Sequence, residues 1–339
     1  MINERLDNYK KIEESRKSKL LVYITGDRPG METQINNDIL EFFVDHLDKL
    51  GKPKKISLLL YTRGGNTLTA WSLTNLIRQF CDEFEVIIPS KAHSSGTLIS
   101  LGANTIMMTK QATLGPIDPS LNSPLNPQDP TQPNNTFARI PVSVESIKGF
   151  FGLAQQDLKV KDQSDLSHLL NSLSDKVHPL VLGDVYRSRT QIRMLASKLL
   201  SKQMKDKKKI EKITSFLCGD SGSHDYTIYR REAHEELGLN IEKPDDNFYK
   251  ILKETFDNIK KELELLIPFD AAVLIGANSS LNYSARRALI ESIDGGADIF
   301  LSEGTLVKHV QIINQPAPLP PIQRIAVEDQ RRFEGWKHE

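Results

Sequence analysis

Two short segments carry residues of the right type and spacing for chemistry. Thr62-Arg63-Gly64-Gly65-Asn66 follows one apolar run and precedes a helical pattern. Lys91-Ala92-His93-Ser94-Ser95-Gly96 follows the next apolar run and precedes the next helical pattern. A serine at a strand-to-helix turn can project its hydroxyl from a sheet edge. The amides that follow it open a helix, where unpaired N–H groups favour an anion. Gly64-Gly65 lets the neighbouring turn approach closely and aim a further amide at the same point. Two converging amides are what an oxyanion hole needs, so the pattern points to acyl transfer at Ser94. Each segment alone also has a plain structural meaning. Gly-Gly makes a tight turn, and Ser94-Ser95 caps a helix.

These turns need a scaffold that brings them side by side. Leu20–Ile24, Ile56–Tyr61, Phe84–Pro89 and Thr105–Met108 are strand-sized apolar runs. Ile35–Leu47, Leu68–Phe80 and Thr97–Gly102 carry helical spacing between them. Near-continuous apolar strands alternating with helices predict right-handed βαβ units on a largely parallel sheet. In such a sheet both turns fall at the carboxyl ends of strands, where sites are built. Beyond Gly115 the pattern changes. Ser120–Phe137 holds four prolines and reads as a surface loop. Residues 142–175 read as amphipathic helices, Leu180–Leu200 as a long helix, and Lys202–Lys212 as its basic continuation. Gly183 inside that helix suggests close packing. Phe248–Leu266 is a further amphipathic helix, and residues 267–314 return to short apolar runs. Residues 2–18 read as an exposed polar helix.

Composition narrows the function classes. The 339 residues hold 44 basic and 44 acidic side chains, so the net charge is zero. That balance speaks against a dedicated nucleic-acid binder or an acidic tail. Two distant cysteines, Cys81 and Cys218, cannot build a disulfide framework or a Cys-rich zinc site. They suit a reducing, cytoplasmic setting. No His-x-x-x-His or acidic cluster has metal-ligand spacing, so neither a metal nor another cofactor is expected. His46, His168, His234, His309 and His338 read as solvated. No apolar run approaches the roughly 20 residues that span a bilayer.

LLYTRGGNTLTAW, followed by IIPSKAHSSGTLISLGANTIMM, resembles the Clp-protease and signal-peptide-peptidase-A superfamily. Asp225-Tyr226-Thr227-Ile228-Tyr229-Arg230-Arg231-Glu232-Ala233, then Gly238-Leu239, resembles its closing motif. Four residues separate Ala233 from Gly238 where that motif usually has three. The branch most similar is the serine dehydrogenase proteinase group. The resemblance implies an α/β, ClpP/crotonase-like spiral of βαβ units with a helical insertion and a C-terminal α/β extension. It implies an N-terminal helix over 1–19, a peptidase core over 20–240 with an insertion at 120–175, and an extension over 241–339.

Residue by residue, the resemblance makes Ser94 the nucleophile and the amides of Gly65 and Ser95 the oxyanion donors. It makes His178 the general base and Asp225 the acid that orients it. His178 lies 47 positions before Asp225 but 84 after Ser94. The rival base is Lys148, 54 positions after Ser94, which would form the Ser/Lys dyad of the signal-peptide-peptidase branch. A lysine must be desolvated to act so. His224, beside Asp225, is a further alternative base. Gly64, Asn66, His93 and Gly115 are the candidate substrate contacts; Asp118 reads as part of a rigid turn.

The implied activity is that of an ATP-independent serine endopeptidase, since no Walker-type motif occurs. Its partners would be peptide or protein substrates and further copies of itself, with an unfoldase or membrane-associated protein as an added partner and no nucleic acid. Two other classes share the scaffold: crotonase-fold acyl-CoA enzymes, and a non-catalytic subunit. The first needs acidic residues over the thioester, and neither turn holds any.

Overall fold

The computed structural model describes residues 2–117, 120–121, 123–220, 223, 225–313 and 322–339. The chain begins with α1 (Leu6–Arg16), β1 (Lys19–Thr25), α2 (Leu40–Leu50), β2 (Lys55–Tyr61), α3 (Thr67–Phe80), β3 (Glu83–Ile88), β4 (Lys91–Ala92), α4 (Ser95–Leu101) and β5 (Thr105–Met108). It continues through β6 (Thr113–Leu114), β7 (Ser120–Leu121), β8 (Val142–Ser143), α5 (Val144–Gly152), α6 (Gln163–Ser174), α7 (Pro179–Leu200), α8 (Lys207–Ser215), β9 (Ile228–Tyr229) and α9 (Arg230–Glu235). It closes with β10 (Ile241–Glu242), α10 (Asp246–Glu262), α11 (Ala271–Ile275), β11 (Ser280–Ser292), β12 (Gly296–Ile313) and β13 (Ile322–His338). Two compact units result: residues 1–113 with 240–339, and residues 114–239.

The first unit is an α/β sheet of eight strands in the order β10-β5-β3-β2-β1-β11-β12-β13. The pairs from β10 to β1 are parallel, with Leu59 opposite both Val22 and Ile87. The remaining pairs are antiparallel. β1 to β3 are buried on both faces, as their unbroken apolar runs demand. The C-terminal strands extend this same sheet across β1, where Val22 faces Glu291.

On one face, Val22, Ile24, Leu59, Ile87 and Met107 pack against Tyr9 and Ile12 of α1 and against Phe248, Leu252, Phe256 and Ile259 of α10. The α10 residues recur at three- and four-residue spacing, so a single stripe is buried. Asp245 caps that helix by accepting from Phe248 N at 2.8 Å, and Lys260 and Lys261 complement its other end. Each large apolar side chain so buried contributes roughly 1.5–3 kcal/mol.

Three expectations change in this unit. α1 is not an exposed polar helix: Tyr9, Ile12 and the preceding Arg5 are fully buried. Arg5 and the Tyr9 hydroxyl both donate to Glu291, and Arg5 also donates to Asn258 at 2.6 Å. Three apolar residues, Leu6, Tyr9 and Ile12, in an eleven-residue helix of otherwise polar side chains give too weak a period to reveal the buried face. His46 is not solvated. It lies buried with Nδ1 2.7 Å from Ser292 Oγ and Nε2 3.0 Å from Asp298. His338 Nδ1 stands 3.0 Å from the other oxygen of Asp298. Burial pushes that carboxyl up, but hydrogen bonds to the two histidines outweigh it and hold Asp298 below its usual value. Finally, Ile35 does not open a helix. Its N–H donates to Gly64 O at 2.9 Å and its carbonyl accepts from Asn66 N at 2.8 Å. Asn36 caps the 3₁₀ turn that leads into α2.

The second unit holds α5 to α9. Val142, Val144, Val181 and Val185 form a small core with Ile147 and Val177. α7 stops at Leu200, and Asp206 caps a new helix by accepting from Lys208 N and Lys209 N, so the basic run is not a continuation. Nothing lies within 4 Å of where a Cβ on Gly183 would sit, so that glycine marks open space, not close packing.

Glu85 tests the charge pairing of the first unit. It is fully buried, accepts from Ser57 Oγ at 2.6 Å and from Arg16 Nε at 3.1 Å, and pairs with Lys55 at 3.1 Å. Burial raises its pKa, yet Arg16 and Ser57 outweigh that and hold it below the ordinary value of 4.5. A depressed carboxyl contributes stability above the ordinary value and loses it as pH falls through the depressed one. Glu85→Gln should therefore lose about 2–4 kcal/mol at neutral pH. In urea titrations across pH, its deficit should shrink below about pH 4. A deficit that stays constant with pH would show that ionisation of Glu85 is not what matters.

Candidate active site

The two chemistry-bearing turns meet in the first unit. Thr62 ends β2 and forms a parallel bridge with Ala92 of β4. Thr62 N donates to Lys91 O, and His93 N donates to Thr62 O, both at 3.1 Å. Thr62 Oγ1 accepts from Thr25 Oγ1 at 2.7 Å and from Gly64 N at 2.9 Å. That hydroxyl thus consumes the Gly64 amide and fixes the turn. On its other side the turn is pinned to Ile35 through Gly64 O and Asn66 N. Gly65 is therefore bonded at neither end to Ile35, and its own N–H and carbonyl face away. The carbonyl accepts from Ser95 Oγ at 2.6 Å. Among the described residues no hydrogen bond uses the N–H of Gly65 or of Ser95.

Glycine is required here for contact as well as conformation. Gly64 and Gly65 have φ of +116° and +143°. A Cβ on Gly65 would lie 2.3 Å from Ile35 O, and one on Gly64 would lie 2.7 Å from Ser94 Cβ. Ser94 itself has φ 51° and ψ −113°, which L-residues rarely adopt. Such a residue costs about 1–3 kcal/mol and persists only when its surroundings over-determine it. Gly96 N to His93 O at 2.8 Å and Leu98 N to Ser94 O at 3.0 Å supply that constraint. Ser94 is half-buried, and its hydroxyl makes no hydrogen bond among the described residues. The result is a serine hydroxyl over a glycine, beside two amides with no partner of their own.

The other candidates fall as follows. His93 Nε2 lies 2.8 Å from Thr113 Oγ1, so its ring is held by a neighbouring hydroxyl. Asn66 caps α3 by accepting from Thr69 N at 2.9 Å. Ser94, Ser95, Gly64, Gly65, Asn66 and His93 are thus gathered in the first unit. Gly115, Lys148, His178 and Asp225 belong to the second. There His178 is exposed and caps α7, its Nδ1 accepting from Leu180 N at 3.2 Å. Asp225 is exposed, and its N–H donates to Ser223 Oγ at 3.2 Å. No hydrogen bond or ion pair joins His178 to Asp225 among the described residues. Lys148 is half-buried and donates to Gly219 O at 2.6 Å. Glu145 Oε1 and Arg189 Nε border the same glycine, and both are buried without a hydrogen-bond partner among the described residues. Gly115 is buried, while His224 and Asp118 lie outside the described residues. Sequence reasoning missed Thr62 and Ile35, which set the turn, because a threonine and an isoleucine at strand ends carry no signal of their own. Among the described residues no group of three His, Cys, Asp or Glu is arranged to hold a metal ion, and no helix is long and apolar enough to cross a membrane.

Residues 1–128 match the family of ClpP-like SDH-type serine proteinases. The matched segment contains both turns of the site. An uncharacterized protein of Methanocaldococcus jannaschii is 30% identical over 192 residues, 56% of this chain and 54% of that protein. The chain thus spans about half the length of this curated relative. Among solved structures, a mutant of the 1510-N membrane-bound stomatin-specific protease is 15% identical, with a TM-score of 0.38 over 73% of this chain and 86% of that one. ClpP1 from Listeria monocytogenes is 13% identical, with a TM-score of 0.35 over 70% of this chain and 98% of that one.

Within the matched segment, the packing of the two turns makes a sharp prediction. A Cβ on Gly96 would sit 2.4 Å from Thr62 Cγ2, a methyl group. Gly96→Ala should therefore destabilise the protein, and Thr62→Ser, which keeps the hydroxyl and removes the methyl, should relieve much of the clash. A double-mutant cycle in urea should give a favourable coupling of about 1 kcal/mol or more. Additive losses would mean that the two turns do not press on each other there.

Proposed function

We propose that the protein is a serine peptidase that works through an acyl-enzyme at Ser94. The observation that carries this reading is the Ser94 hydroxyl, held at positive φ beside the unpartnered amides of Gly65 and Ser95. Ser94 Oγ would attack the substrate carbonyl, and those amides would hold the oxyanion. The C–N bond would break as the amine half leaves with the proton taken from Ser94, and water would then hydrolyse the ester to release the acyl group and restore the serine. The ClpP-like serine proteinase family match over this segment supports the same chemistry. Peptide or protein substrates, independence of ATP and a homo-oligomeric state belong to the proposal.

For the base, the reading takes Lys148 in place of His178. In a triad the imidazole donates from Nδ1 to the acid and accepts the serine proton at Nε2. Here Nδ1 of His178 already accepts from Leu180 N, so the neutral ring carries its proton on Nε2. That tautomer cannot take a proton at Nε2, nor donate to Asp225 from Nδ1. Lys148 is half-buried, which favours the neutral amine a lysine base requires, and it would release its hydrogen bond to Gly219 O to act as one.

Labelling with a fluorophosphonate, read by intact mass, should place one adduct on the protein and none on Ser94→Ala. Peptide hydrolysis by Ser94→Ala and by Lys148→Ala should each fall by about 10³-fold or more, while His178→Ala stays within about threefold. An unchanged adduct on Ser94→Ala would end the proposal. A collapse confined to His178→Ala would transfer the base to that residue.

A further inference from the structure

Beside the Gly65 turn, the first unit holds a pocket of ≈ 490 Å³ that the acyl-transfer chemistry leaves unused. Its lining runs from Glu32 through Asp38, touches Asn66, and ends on β11 to β13. Asn66 follows Gly65 directly, so the pocket adjoins the turn assigned to the oxyanion.

Trp336 forms its aromatic wall. The indole is half-buried, with Phe42 and Phe300 each 5.5 Å away between centroids. Its Nε1 donates to Asp38 Oδ2 at 3.0 Å, which fixes the ring. Arg287 is the one cation among the lining residues, and its guanidinium is already spent. It donates to Met31 O at 3.0 Å, Glu32 O at 2.6 Å, Ser302 Oγ at 2.8 Å and Glu334 at 2.7 Å. Glu334 is neutralised in turn by Arg287 and Arg331. Glu32 and Asp38 remain. Both are exposed, and neither makes an ion pair among the described residues. The pocket therefore offers a ligand an aromatic surface and two uncompensated carboxylates.

An anion would meet repulsion from both carboxylates, and the one lining cation, Arg287, is already taken. An apolar side chain would cover carboxylates that need water. An organic cation satisfies both features, since the ring attracts it and the carboxylates pair with it. We propose that this pocket receives the lysine or arginine side chain of a peptide whose scissile carbonyl lies at Ser94. The proposal rests on the peptidase reading, and it makes the enzyme selective for basic sequences.

The test uses quenched-fluorescence peptides identical except for lysine, arginine, norleucine or glutamate, scanned across the residues flanking the scissile bond. At one position lysine or arginine should raise kcat/KM roughly tenfold over norleucine, the scale of a cation–π contact joined to carboxylate pairing. The preference should shrink at high salt and vanish in the Glu32→Gln/Asp38→Asn double variant, which still cleaves the norleucine peptide. Binding is read separately in a Ser94→Ala/Trp71→Phe background, where Trp336 is the one remaining tryptophan of the chain. The lysine peptide should alter its emission and bind more tightly than the norleucine peptide. Loss of labelling with this binding preference intact would sink the peptidase reading and leave the cation pocket standing. Labelling of Ser94 with equal affinity and equal rates for all four peptides would overturn the pocket assignment. So would a preference that survives the double variant.

Discussion

The parallel bridge between Thr62 and Ala92 is the contact on which the site depends. It sets the β2 turn against the β4 turn through two backbone hydrogen bonds and no side-chain flexibility. Across this contact a Cβ on Gly64 would meet Ser94 Cβ and one on Gly96 would meet the Thr62 methyl, while one on Gly65 would meet the Ile35 backbone, so each of the three glycines sits where a side chain would clash. The hydroxyl of Thr62 then decides which amide stays available. It takes the Gly64 N–H and leaves that of Gly65 for a ligand. The sheet exists, from the viewpoint of the site, to hold β2 and β3 in register so that these turns coincide. Leu58 opposite Val86 and Leu59 opposite Ile87 do that with buried apolar side chains.

Much of this was legible in the sequence because it depends on short-range signals. Unbroken apolar runs announced β1, β2, β3 and β5, and Gly64-Gly65 and Ser94-Ser95-Gly96 announced the turns. What escaped depends on partners far away in the chain. His46 is buried because Ser292 and Asp298 meet it, and nothing near residue 46 says so. Ile35 looked like the start of a helix because its spacing to Ile39 fits one; its bond to Gly64 wins instead. Runs of mixed polarity between 280 and 313 read as short segments. They form long antiparallel strands whose outward positions are free to be polar. The resemblance pointed to His178 as a base; that its Nδ1 also caps α7 is hydrogen-bond geometry that spacing does not carry.

The neutral net charge has a structural counterpart. Acidic residues on the inner strands are consumed by basic ones from other elements: Glu85 by Arg16 and Lys55, Glu291 by Arg5, Glu334 by Arg287 and Arg331. Removing one partner of such a buried pair strands the other, whereas loss of an exposed pair costs little. These buried charges are therefore architectural. Glu32 and Asp38, which line the pocket beside Asn66, take part in no such pair among the described residues.

Ser94 shows the same economy in backbone form. Its flanking residues obey local rules: β3 is a β-branched and aromatic run, and α4 is short, apolar and buried. Ser94 alone breaks them, with a positive φ that a non-glycine residue avoids. A serine placed there merely to cap α4 would gain from the ordinary extended conformation and would use its hydroxyl on a helix amide. It does neither. Strain held at one residue by ordered neighbours is how folds orient a reacting group before substrate arrives. The Ser95 hydroxyl, bonded to Gly65 O, ties the two amide-bearing turns together at the same point. On the proposed acyl-transfer reading both departures from ordinary capping would serve the approach of a hydroxyl and two amides to one carbonyl, and stability of the helix gives no reason for either.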